Sequence, residues 1–148
     1  MTVITSFTAK RREKQWKWER TILKEITLNH IHESVMNHFG SVKVMGGKPL
    51  QESVVEGCYD VAIEAYLLGA QFSHLLHKGE RQDAIEKKSI STRKHITDTL
   101  YNFWLYWAKI GDHGGMDESI YFVCEPFVDH WYKEGVDKGT RRLKLRLR

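Results

Sequence analysis

Three carboxylates, Glu56, Asp60 and Glu64, recur at i, i+4 and i+8, a spacing that lines acids along one face of a helix. On a helix whose other residues are largely apolar, they repel one another unless cations match them. Those cations are either arginines and lysines of neighbouring helices or a bound metal. Carboxylate metal sites inside helical bundles also draw on Glu-x-x-His pairs from facing helices, and the sequence contains none. His74 and His77 offer two nitrogens at i, i+3 but begin ten residues beyond Glu64, about 15 Å along a helix at about 1.5 Å per residue. Salt bridges are therefore the expectation for the acidic stripe. A metal-dependent helical enzyme built on His74, His77 and the stripe is kept as an alternative.

Nucleophilic catalysis finds no assembled parts. Cys58 and Cys124 stand 66 positions apart among apolar residues and form no Cys-x-x-Cys pair, so buried free thiols are expected rather than a zinc finger or a disulfide scaffold. His130 follows Cys124 by six residues and falls on another face of the same helix. The sequence has no Gly-x-Ser-x-Gly, no His-Glu-x-x-His and no dinucleotide fingerprint. His113 sits in Gly111-Asp112-His113-Gly114-Gly115 without the strand and Gly-Lys context of a phosphate loop, so a helix stop and turn explains it. The aromatic residues Tyr101, Phe103, Trp104, Tyr106 and Trp107 recur at helical spacing and read as core before ligand pocket. No catalytic residue, metal ligand or cofactor is assigned, and binding rather than catalysis is the expected activity.

Charge carries the strongest functional signal. Residues 1–24 hold seven bases against two acids, residues 135–148 hold six against one, and the segment between them holds ten against sixteen. A mildly acidic body thus carries two basic ends. Lys10, Arg11, Arg12, Lys14, Trp16 and Trp18 at one end, with Arg141 and Arg142 at the other, are the expected partner-binding residues. Trp16 and Trp18 lie about 200° apart on a helical wheel, so both cannot face one core. The exposed one is expected to anchor a protein groove or to stack on a base. A protein partner is the first reading, and nucleic acid bound through the basic ends is the second.

Elements that would position these residues are all helices. Lys10–Glu25 is free of Gly and Pro and is expected to form a helix capped by Thr5 or Ser6. A second helix spans 28–39 with Leu28, Ile31, Val35, Met36 and Phe39 on its packed side, Gly40 as its C-cap, and a loop over Ser41–Lys48 containing Gly46-Gly47. The third, over about 50–77, follows Val54, Cys58, Val61, Ala65, Leu68, Phe72 and Leu75 at alternating steps of four and three, and Gly79 ends it. This pattern predicts the central helix. Residues 80–90 are read as a linker or the start of a fourth helix, whose firm pattern begins at Ser91. Asp117 is expected to cap a fifth helix that Pro126 bends and whose frayed end Gly135 and Gly139 bracket. Arg142–Arg148 alternates with period two and is expected to be a strand or extended.

Together these elements predict an all-α protein: an antiparallel bundle of four or five helices with a basic N-terminal helix and a basic C-terminal tail. One helical domain over 1–148 is expected, with 1–24 and 139–148 as basic, partly exposed ends. The composition agrees, since 148 residues with 41% hydrophobic and 28% charged side chains can build a core. Two prolines and eleven glycines exclude a Pro-rich or collagen-like chain. No apolar run approaches the roughly 20 residues of a membrane span, and the first residues lack the apolar core of a signal peptide. A soluble cytoplasmic protein is expected.

The opening Val3-Ile4-Thr5-Ser6-Phe7, followed by Lys10-Arg11-Arg12-Glu13-Lys14-Gln15 and Trp18-Glu19-Arg20, resembles the YbaK-type family of small uncharacterised proteins from Gram-positive spore formers. (The aminoacyl-tRNA deacylase sharing that name is unrelated.) The resemblance covers the length and helix layout of the whole chain. It implies a cytosolic bacterial setting and carries over no catalytic or ligand-binding residue.

Overall fold

The computed structural model describes residues 2–39, 48–110 and 120–146, and every regular element among them is helical. They are α1 (Thr2–Leu23), α2 (Leu28–Phe39), α3 (Lys48–His77), α4 (Gln82–Ile110) and α5 (Tyr121–Arg146). The protein is an all-α bundle. The expected features at Gly40, Gly46-Gly47, Gly111–Gly115 with His113, and Asp117 lie outside the described residues.

Local chemistry sets the helix ends. The Thr27 hydroxyl accepts the His30 amide at 3.1 Å and so caps α2. Gly79 adopts φ +96° and closes α3: its amide donates to the Leu76 carbonyl, and the Glu80 amide donates to Leu75. α1 begins at Thr2, so Thr5 and Ser6 lie within the helix instead of capping it. Nothing in that stretch breaks a helix. The segment 80–90 belongs mostly to α4, because buried Ile85 and Ser89 give its first turns an inward face.

α3 packs against all four other helices, most extensively against α5. Gly57 and Phe72 of α3 meet Phe103 and Ile85 of α4, so those two helices are antiparallel. Arg93 and Tyr101 of α4 meet Asp129 and Tyr121 of α5, again antiparallel. α3 and α5 therefore run side by side in the same direction. Their backbones touch: a Cβ at Gly69 would fall on the Tyr132 carbonyl oxygen, and one at Gly135 on that of Tyr66. Glycine at both positions lets the two axes approach more closely than ordinary side chains permit. The expectation that Gly135 and Gly139 mark a frayed end is thus wrong. Both are buried helix positions pressed on α3, Gly139 against Ala70 and Ser73.

The expectation of a strand or extended tail is also overturned. α5 continues to Arg146 and buries Leu143, 6% exposed, while Leu145 is 50% exposed. Leu143 lies four residues beyond Gly139 and stays on the inward face. Its neighbour two positions on points about 200° away. On α2 the packed face is Ile31, Ser34, Val35 and Phe39, whereas Leu28 and Met36 are exposed. Ser34 is inward because it accepts the indole N–H of the fully buried Trp131 at 3.0 Å.

Arg93 joins α4 to α5. Its guanidinium pairs with Asp129 at 3.0 Å and Glu86 at 3.1 Å, and stacks 4.4 Å above the Tyr132 ring. Cys58 and Cys124 are free and buried in the core, where burial pushes each thiol up to about 12. Few thiolates form at neutral pH, so both act as small core residues.

Candidate functional site

α1 owes its position to a few specific ties. The Tyr66 hydroxyl donates to the Ile22 carbonyl at 2.9 Å, fixing the end of α1 on α3. Arg142 of α5 pairs with Glu25 at 3.3 Å just beyond that end. Trp18 is 8% exposed, and its ring lies 5.3 Å from that of His74 on α3. Trp16 points away from the core, 58% exposed, with Arg20 lying 4.7 Å above its ring. One tryptophan is core and the other is surface, as their angular separation predicts.

These ties leave a groove of about 920 Å³ between α1, the end of α3 and Arg142. Arg11, Lys14, Trp18 and Thr21 of α1 face Gln71, His74 and Leu75 of α3, and Lys78 just past its end, across it. Lys17 and Arg142 add two cations, and Glu19 is the acid in the lining. The N-terminal and C-terminal basic segments, far apart in sequence, thus meet at one place. Lys17 is paired with Glu13 at 3.4 Å and Arg142 with Glu25, whereas Arg11, Lys14 and Lys78 have no ion pair among the described residues. At the groove the Trp18 indole N–H is buried without a hydrogen-bond partner among those residues. An unpaired buried donor costs about 1–3 kcal/mol, a local cost that the packing of the Trp18 ring on His74 must offset.

Of the expected binding residues, Arg11, Lys14, Trp18 and Arg142 line this groove. Lys10, Arg12 and Arg141 are exposed outside it, and Arg12 shares an outward stripe with Trp16 and Arg20 at i, i+4, i+8. Sequence reasoning missed the α3 wall. Its signal was present, since Gln71, His74, Leu75 and Lys78 recur at i, i+3, i+4 and i+7. Glu56, Asp60 and Glu64 are all exposed and make no ion pair among the described residues, so water screens their repulsion rather than neighbouring cations. No group of three or more His, Cys, Asp or Glu among the described residues is arranged to hold a metal ion.

A second concentration of titratable groups lies between α2 and α5. His38 and His130 have ring centroids 5.7 Å apart, and His30 and His130 both meet the Trp131 ring edge-on. Burial lowers the pKa of His130; Glu134 opposes that shift, while His38 and His30 add to it. Below about pH 6.5 the unfolded chain takes up a proton that native His130 resists. This contribution to stability is therefore complete above that pH and is lost as pH falls towards the lowered native value. The melting temperature is expected to drop between pH 7.5 and pH 5.5, and His130→Gln should flatten the drop. A thermal scan showing equal or higher stability at pH 5.5 would contradict the burial argument.

Compared with known proteins, the chain matches over residues 1–148 the family described as "Protein of unknown function (DUF2521)", and it belongs to that family. It is 27% identical over 160 residues to the "Uncharacterized protein YbaK" of Bacillus subtilis (strain 168), with both chains covered in full. No solved structure matches it. Among the described residues, no helix is long and apolar enough to cross a membrane.

Proposed function

We propose that the protein is a non-catalytic helical interaction module that binds a protein partner through the basic face of α1. The observation that carries this reading is Trp16, a large aromatic held in water on a helix whose other tryptophan is buried. Arg12 and Arg20 flank it, and aromatic and arginine side chains supply much of the energy of protein interfaces. Trp16→Ala is expected to abolish capture of a partner from nuclease-treated lysate at moderate salt, with the far-UV circular dichroism spectrum unchanged. Capture that survives the substitution would remove Trp16 from the interface and with it the support for this reading.

The meeting of both basic ends at one groove favours a second reading, nucleic acid. Single strands bound there would lose affinity with salt at a log–log slope of about −0.7 for each neutralised phosphate. Substituting Arg11 and Arg12 by glutamate would then weaken all sequences about equally, because backbone contacts carry no sequence information. A binding assay across a salt series, using unrelated oligonucleotides of one length, separates this reading from the first.

A further inference from the structure

The groove between α1 and α3 is distinct from the outward Trp16 stripe, and its charge is mostly positive, with Glu19 the acid in its lining. Three cations, Arg11, Lys14 and Lys78, lie along its two walls without an ion pair among the described residues. Arg142 also lines the groove, its charge matched by Glu25. Each of the three cations is a donor, so the occupant they suit presents acceptors with negative charge.

We infer that this groove seats an acidic peptide segment, and that the segment belongs to the protein partner proposed above, on which reading the inference rests. Two observations favour a peptide over a nucleic-acid strand. Non-specific single-strand sites present open aromatic faces on which bases stack. Here the Trp18 ring is covered, 8% exposed and packed on His74. The dimensions also suit a peptide: Arg11 to Thr21 is ten helical steps of α1, about 15 Å, or nearly three turns of a docked helix. Carboxylates at i, i+3 and i+7 of such a segment meet cations repeating at Arg11 and Lys14 on one wall and at Lys78 on the other. Leu75 gives the segment an apolar contact.

The test uses the full chain and fluorescence anisotropy at about 50 mM and about 300 mM salt, which span a wide range of screening. The probes are a labelled peptide of about ten residues with Glu at helical spacing and Leu between, its Glu→Gln counterpart, and a single-stranded RNA of similar length. The acidic peptide is expected to bind at low salt and weaken at high salt, and the glutamine peptide is expected not to bind. Lys14→Glu combined with Lys78→Glu, both at exposed positions, should weaken the acidic peptide about tenfold or more at an unchanged melting temperature. Three results would each overturn the inference: no binding of the acidic peptide at low salt, equal binding by the double variant, or tighter binding of the RNA with the same loss in the variant. A failure here that leaves Trp16-dependent capture of a protein intact overturns the groove assignment alone. Loss of that capture with peptide binding retained overturns the Trp16 interface and keeps the groove.

Discussion

Gly135→Ala and Gly69→Ala are each expected to lower unfolding free energy by about 3 kcal/mol or more, the upper end of what overpacking costs. The reason is what each added methyl group would strike. At both positions it is a backbone carbonyl of the facing helix, Tyr66 for Gly135 and Tyr132 for Gly69. A flexible side chain can swing aside, but a helical carbonyl moves only with its helix, so α3 and α5 must part along their length. That separation also removes packing from Ala70 and Tyr66, both buried in the core. Against a typical total of about 5–15 kcal/mol the loss is large. Gly79→Ala is the control: its positive φ gives a strain of about 1 kcal/mol, with open space where the methyl group would stand. Urea midpoints at constant slope measure all three. A Gly135→Ala midpoint shift no greater than that of Gly79→Ala would refute the close approach.

Trp131→Ala is the second large effect, expected at about 3–5 kcal/mol, the usual range for removing a buried aromatic. Trp131 is fully buried, and its ring meets Tyr66 of α3 and His30 of α2 edge-on. Its N–H is also the donor to Ser34. Removing the ring therefore opens a cavity where three helices meet and leaves the Ser34 hydroxyl buried without that donor. Trp131→Phe keeps most of the volume and loses the hydrogen bond, so it should cost about 1–2 kcal/mol. If the alanine and phenylalanine variants have equal melting temperatures, the cavity is not the dominant cost.

The helices were legible because their signals are local. The four-and-three stepping from Val54 to Leu75 marks α3, and Thr27 and Gly79 mark ends by their own chemistry. The misread positions are those whose meaning depends on a distant neighbour. Gly135 and Gly139 look like helix breakers until α3 is placed against them, though their spacing of four was itself a hint of close helix contact. Leu143 and Leu145 alternate as a strand would, yet a helix already anchored at Gly139 absorbs the first and exposes the second. The candidate site divides the same way. Its α1 wall stood out as a run of bases, whereas its α3 wall, though it recurs at helical spacing, gains meaning only when His74 is placed against Trp18. Ser34 gave no local sign of its role, because its partner lies 97 positions away.

The parallel pairing of α3 and α5 sets a timetable for the growing chain. Gly69 must wait for Gly135, made 66 residues later, which at about 5–20 residues per second is on the order of several seconds. During that interval the Gly69 face of α3 has only α4 as a newly made neighbour, and α4 packs instead on Gly57 and Phe72. The bundle's largest interface therefore closes last. Until α5 leaves the ribosome, the face of α3 that makes the most extensive helix contact has no partner.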